Sequence, residues 1–529
     1  MRSTSSPPGT LIEPGRQPRW YSSYVRERGA YERGHVFRAT SLPRRLLEAR
    51  LPALVTAPAT PIAVYDADGA LAPLAAATID AMGYRDVRVL DGGLAAWRAA
   101  GRRVVQGLNV PSKVFGERAL HELGTPQIAP RDLLRRIERR DDIVIVDART
   151  FEEYTRGCIP GSISVPGGEL VSRIGELVER PDTTIVVHCG GRTRSYIGAE
   201  TLRRMRLPNP IVALENGTMG WQLAGLTLER GATRTAPAPG NRGRVLAAAT
   251  AKRVAAEDGV KFVGVDEARR RWEQRGERTV YLVDVRTADE YAAGHPAGAI
   301  WAPGGQAVQA TDDYFAVRDA SFVFVCDGLV RSIMTAAWFG RMGFPDVAAL
   351  AGGVPAWRER GAPIETGHPA PMPFGWESAR AATRRVPPGD LGAALVIDVG
   401  ASDAYARGHV PGAGWICRSR LESRVAAAAP DRGRPIVLAC ADGIASTLAA
   451  ATLAGLGYKD VAVLDGGTRG WEQAGHPLEQ GATRLWDEPD DVVLKPYERG
   501  REAMEAYLRW EEALDLEGGS PHRLLKDAP

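Results

Sequence analysis

Five cysteines lie along a chain of 529 residues, and three of them share one setting. Cys189, Cys326 and Cys440 each end a short apolar run and open a loop that leads into a helical pattern. The loops read Cys189-Gly190-Gly191-Arg192-Thr193-Arg194 before Ser195, Cys326-Asp327-Gly328-Leu329-Val330-Arg331 before Ser332, and Cys440-Ala441-Asp442-Gly443-Ile444-Ala445 before Ser446. A loop that leaves the carboxyl end of a strand and enters a helix N-terminus turns its backbone N–H groups inward, where they join the positive end of the helix dipole. A cysteine at the mouth of that cradle has its thiolate favoured. The same donors suit an anionic ligand. Such a thiolate is a candidate nucleophile.

Formal charge ranks the loops. Residues 189–194 carry Arg192 and Arg194 and no acid, while Asp327 and Arg331 cancel in the second loop. Residues 440–445 carry only Asp442, and a fourth equivalent, Asp66 to Leu71, has two acids and no cysteine. A thiolate and an anionic ligand both favour Cys189, allow Cys326, disfavour Cys440 and exclude the Asp66 loop. Cys158 and Cys417 read as packed side chains, the commonest fate of a lone cysteine. Five cysteines are too few, and an odd number, for a secreted disulfide scaffold, and without a CxxC pair there is no zinc-ribbon or thioredoxin-type motif; no metal is expected at the site.

The elements that position these loops repeat. A Gly-rich turn followed by Trp occurs as Asp91 to Trp97, Glu215 to Trp221, Ala351 to Trp357 and Asp465 to Trp471, and each Trp is followed four residues later by Gly. Upstream, Asp147-Ala-Arg149 precedes Glu153-Tyr154 and Gly157-Cys158, and Asp284-Val-Arg286 precedes Glu290-Tyr291 and Gly294-His295. Asp398-Val-Gly400 precedes Tyr405 and Gly408-His409, while the first copy keeps only Tyr31 and Gly34-His35 and reads as truncated before them. Asp147 with Arg149, and Asp284 with Arg286, are expected to pair beneath the loops; Gly400 breaks that pattern in the fourth copy. Continuous β-branched runs such as Ile143–Val146 and Thr184–Val187 fit strands buried on both faces of a parallel sheet. Helical patterns between them give right-handed strand–helix–strand units, hence an α/β fold. Linkers are expected near Gln106 to Gln127, Ala236 to Asn241 and Thr366 to Pro373. Beyond Gly481 a charged tail carries a helical pattern over Pro496 to Glu517, expected to dock on the fourth repeat.

Composition sets the outer bounds. A net charge of +3 gives no reason to expect nucleic acid as partner. No run approaches the roughly 18 apolar residues of a membrane span, and Met1 to Trp20 lacks the apolar core of a signal peptide. The reading is a protein of the reducing cytoplasm.

Taken in order, Asp-x-Arg, Glu-Tyr-x-x-Gly-His, the strand-end Cys loop and Gly-Gly-x-x-x-Trp resemble the motif succession of rhodanese domains, over roughly Tyr21 to Gly481. The resemblance implies four tandem rhodanese-like domains, each a mainly parallel sheet flanked by helices, at 1–105, 127–232, 262–366 and 374–481, with a helical tail at 482–529. It implies a sulfurtransferase that needs no cofactor. A donor such as thiosulfate, mercaptopyruvate or a persulfide loads sulfane sulfur on Cys189 or Cys326, and a thiol or cyanide accepts it. The expected ligand-holding residues are Gly190, Gly191, Arg192, Thr193 and Arg194, and Asp327, Gly328, Leu329, Val330 and Arg331. Cys440 sits in a degenerate loop. The Cys189-Gly190-Gly191 start resembles mercaptopyruvate sulfurtransferases, but Arg192 replaces a small residue and the donor stays open. The alternatives are a non-catalytic sulfur carrier or scaffold, and a phosphatase or arsenate reductase, which in this fold uses a loop one residue longer.

Overall fold

The computed structural model describes residues 4–6 and 21–514. The first part of the N-terminal segment and the end of the tail, including Glu517, lie outside the described residues. Four five-stranded sheets recur, and every pairing within them is parallel. The fold is α/β, with helices flanking each sheet, as the sequence predicts. In the second repeat the strand order is Gln127–Ile128, Ile211–Leu214, Thr184–His188, Ile143–Asp147 and Ile163–Ser164. The strand that delivers the cysteine is therefore central and wholly buried, which explains why its sequence shows no polar alternation.

Two compact units divide the chain. One joins the described residues up to Leu108 with Ala370–Val493; the other joins Asn109–Pro369 with the described residues from Leu494 onward. The first unit holds the first and fourth sheets. The first repeat is not truncated. Tyr21–Tyr24 forms the strand whose counterparts end in Asp147 and Asp284, with Tyr24-Val25-Arg26 in place of Asp-x-Arg. Its phenol ring packs with Tyr31 and Tyr65 in a hydrophobic cluster, so an apolar contact replaces the ion pair.

In the second unit the stretch expected as a linker before the second repeat contains a helix, Val110–Leu123, with residues 112–120 all buried. It packs along the helix Thr193–Arg203 that follows the Cys189 loop. A further helix, Asn241–Asp258, packs on Val330–Arg341 in the third repeat. The tail helix Arg501–Glu512 docks on the second repeat rather than the fourth, with Met504 and Leu508 against Met219. The preceding segment stays with the fourth sheet, where Leu485 bridges to Trp415. Among the described residues, no helix is long and apolar enough to cross a membrane.

Candidate functional site

Cys189 follows the last residue of its strand, and the helix begins at Thr193, two residues earlier than the sequence pattern predicts. Cys326 and Cys440 are placed in the same way. The Gly-rich turn holds each loop from behind. The N–H groups of Thr218 and Met219 donate to the carbonyls of Cys189 and Gly190 at 2.8 and 3.0 Å. Gly217 has φ +53°, and a Cβ there would overlap the carbonyl oxygen of Cys189; Gly353 and Gly467 face Cys326 and Cys440 in the same way. The next part of the motif anchors the turn. The indole N–H of Trp221 donates to the carbonyl of Thr227 at 3.0 Å, as those of Trp97, Trp357 and Trp471 do to carbonyls six residues on. All four rings are buried.

This geometry separates two kinds of glycine. Gly217→Ala is expected to displace the Cys189 loop and remove activity, because strain and overlap coincide. Gly225→Ala, with φ +82° and nothing within 4 Å of its Cβ position, should cost only the ~1 kcal/mol of a left-handed non-glycine residue and keep the activity. Activity assays beside thermal melts of the two variants check this.

Beneath the loop, Arg149 donates to Asp147 through Nε and Nη2 at 2.9 and 2.6 Å, and Nη2 also donates to the Gly157 carbonyl at 2.6 Å. Arg286 repeats the arrangement with Asp284 at 2.9 and 2.6 Å and with Gly294 at 2.8 Å. Glu153, at the third position of a capping box opened by Thr150, grips Arg194 at 2.6 and 2.8 Å. Glu290 grips Arg331 equivalently, both bonds being 2.7 Å. Each of these arginines also reaches into the sister repeat of the unit, Arg194 to Gln306 at 3.4 Å and Arg331 to Glu169 at 2.8 Å.

The formal charge of the Cys189 loop is therefore not free. Arg192 is held by Glu117 at 2.7 and 2.8 Å, and by Asn216 and Glu512 at 2.8 and 2.7 Å. Glu117 comes from the unexpected helix and Glu512 from the tail. The expectation that the formal charge of residues 189–194 favours Cys189 is corrected accordingly, because acids from outside the loop pair with both arginines. The difference between the loops that survives is smaller: Arg194 meets one carboxylate and a neutral amide, whereas Arg331 meets Glu169, Glu290 and Asp327.

The thiols themselves differ. Cys189 Sγ accepts a hydrogen bond from the Ser195 hydroxyl at 3.0 Å. Cys326 donates to Ser332 at 3.3 Å, and burial pushes its thiol above the ordinary value. Cys440 lies 3.4 Å from the Ser446 hydroxyl and 3.7 Å from the Asp442 carboxylate, and burial raises its thiol too. Cys158 packs with Tyr154 and Ala232, and Cys417 contacts Glu27 at 3.2 Å; burial raises both thiols. His188, the residue before Cys189, is fully buried, and burial lowers its imidazole to about 4, leaving the ring neutral near pH 7.

In the first repeat the loop is occupied by a side chain of its own. Asp66, in the cysteine's place, accepts the backbone N–H groups of Gly69, Leu71 and Ala72, so its own carboxylate fills the loop. Backbone N–H groups of the loop alone thus supply three hydrogen bonds to a carboxylate at the position of the cysteine.

A group of residues outside the motifs packs on the Cys189 loop at Gly191 and Thr193. Lys113 Nζ lies 3.4 Å from Glu511, and Thr193 donates to the same carboxylate oxygen at 2.8 Å. Glu511 is fully buried, its second oxygen has no hydrogen-bond partner, and Tyr507 and Met219 complete the cover over Gly191. The field of Lys113 reaches Cys189. Glu511→Gln keeps the shape and removes one negative charge, leaving Lys113 less neutralised. We expect it to raise the rate of Cys189 alkylation at neutral pH by about tenfold. Iodoacetamide kinetics resolved by peptide mass spectrometry measure the change; an unaltered or slower rate would count against this electrostatic reading.

The family model described as a rhodanese-like domain matches residues 25–100, 129–224, 265–360 and 388–474. The crystal structure of a thiosulfate sulfurtransferase from Pseudomonas aeruginosa is similar over 94% of this chain and 94% of its own, with 40% identity and a TM-score of 0.88. A thiosulfate sulfurtransferase of Azotobacter vinelandii is 30% identical over 185 residues, which make up 30% of this chain and 67% of that protein. An HTH-type transcriptional regulator of Mycobacterium tuberculosis is 37% identical over 113 residues, 21% of this chain, which spans just under half (48%) of the regulator's length. Four matched copies, each with its central strand running into the same loop, make this chain a member of the rhodanese family.

Proposed function

We propose that this protein is a sulfurtransferase that carries sulfane sulfur as a persulfide on Cys189. The Cys189 thiolate attacks the outer sulfur of thiosulfate, the S–S bond of the donor breaks, and sulfite leaves with the bonding electron pair. Cyanide or a thiolate then attacks the terminal sulfur of the persulfide, and the Cys189 thiolate departs as leaving group. The backbone donors of residues 190–194 hold the anionic end of the donor, Ser195 supports the sulfur, and Asp147–Arg149 fixes the loop from below. The observation that carries this reading is the pairing of two loops of one design. One holds Cys189 at its mouth, and the other is filled by the Asp66 carboxylate, a built-in stand-in for an anionic ligand. Cys326 is the second candidate carrier, within the same unit. Five free cysteines fit a reducing cytoplasm.

The first and fourth repeats fit a scaffold role, one loop being filled by Asp66 and the other lacking the supporting arginine. The test is incubation with thiosulfate and cyanide, following thiocyanate. Intact mass after thiosulfate alone should rise by one sulfur atom, mapped to Cys189. A protein that forms neither product nor adduct with thiosulfate, mercaptopyruvate or a persulfide donor, yet is folded, would leave the scaffold reading in place.

A further inference from the structure

The fourth repeat keeps the acceptors for a guanidinium but lacks the guanidinium. In the second and third repeats an arginine two residues beyond the strand-end aspartate lays its planar fork between that carboxylate and a glycine carbonyl. Asp398 and Gly408 stand at the corresponding positions of the fourth, and Gly400 replaces the arginine. A cavity lined by Asp398, Gly400, Tyr405, Gly408, Ala441 and Arg469 opens there. Asp398 is only 3% exposed. Its Oδ1 accepts the Gly400 N–H at 2.7 Å, and no arginine takes the place that Arg149 and Arg286 fill beside the strand-end aspartates of the sister repeats. Burial raises its carboxyl to about 7, partly offset by that N–H.

A buried carboxylate facing a cavity is costly without a partner. We propose that this cavity is a binding site for the guanidinium group of a small ligand, held by Asp398 and the Gly408 carbonyl as Arg149 and Arg286 are held in the sister repeats. A guanidinium presents its N–H donors in a fixed planar fork that matches this pair of acceptors, as it does in the sister repeats, whereas an ammonium ion is a compact point charge without that geometry. The outer wall supplies a route in: Arg407, Arg469 and Glu472 line it and are exposed, and Arg407 is already engaged by Asp403 at 2.6 Å. The site adjoins the Cys440 loop, since a Cβ on Gly400 would stand 3.6 Å from that of Cys440. A bound cation therefore favours the Cys440 thiolate, which gives the site a second readout.

Titration calorimetry of the full chain with methylguanidinium chloride tests the proposal, with urea as the neutral planar control. Saturable binding of methylguanidinium and none of urea is expected. Asp398→Asn should weaken binding about tenfold or more, the scale of one lost charge-assisted hydrogen bond. Gly400→Arg should abolish it by placing a tethered guanidinium in the cavity. Saturating ligand should speed alkylation of Cys440 in the wild type and not in Gly400→Arg. Absence of saturable binding to the wild type, or equal binding by a folded Gly400→Arg protein, would overturn the assignment.

Discussion

Cys189→Ser should lower thiosulfate-dependent activity by about a thousandfold or more, while Cys326→Ser leaves most of it. Serine keeps the volume and the hydrogen bond but cannot carry sulfane sulfur. The contrast between the sites rests on their surroundings rather than on formal loop charge. Burial pushes the Cys326 thiol up, Asp327 adjoins it, and Arg331 is shared among three carboxylates at 2.8, 2.7 and 2.6 Å. Cys189 instead accepts from Ser195, stands in the field of Lys113, and has beside it an arginine that meets a single carboxylate. The comparison is kcat/KM for thiosulfate in the two single variants, with folding checked by circular dichroism. Equal losses would mean that the two loops work together, a coupling for which Arg194–Gln306 and Arg331–Glu169 provide the contacts. A larger loss in Cys326→Ser would reverse the ranking.

What could be read in advance divides by range along the chain. The strand-end cysteines, the Asp-x-Arg supports and the Gly-Gly-x-x-x-Trp turn are short motifs whose partners lie within one repeat, so their spacing alone expressed the geometry. Lys113, Glu117, Glu511 and Glu512 belong to no repeat and reach the Cys189 loop from helices far away in sequence. Two of them neutralise Arg192, which no count of charges over residues 189–194 could register. The helix Val110–Leu123 did leave a trace: Pro111 in its first turn and Gly124, with φ +61°, just past its end. That is the asymmetric signature of helix boundaries, yet in a stretch rich in both residues it resembles a linker. The first repeat read as truncated because its strand ends in Tyr24 where its sisters carry aspartate; the aromatic cluster that replaces the ion pair has no short motif.

Asp147→Asn should destabilise the second repeat by about 3–5 kcal/mol, because it leaves the Arg149 guanidinium buried without its counter-charge. Arg149 is 3% exposed and Asp147 fully buried, so water cannot substitute for the lost partner. The fourth repeat shows the opposite half of the experiment. There the carboxylate survives and the arginine is gone, and Asp398 responds by holding its proton up to about 7. Folded Asp398 then binds a proton that an unfolded aspartate releases near 4. Its contribution to stability is complete below that value and is lost as pH rises through 7. A guanidinium has no such escape, since it does not deprotonate in proteins. The cost of Asp147→Asn should therefore persist across the neutral range, and Asp147→Asn combined with Arg149→Met should recover much of it by removing the orphaned charge. Two compact units make a single unfolding curve ambiguous. Amide exchange in Thr184–His188, the central strand beside Ile143–Asp147, reports the second repeat alone. Protection there should fall in the single variant and return in the double. Unchanged protection in Asp147→Asn would show that the Gly157 carbonyl and the loop suffice to hold Arg149.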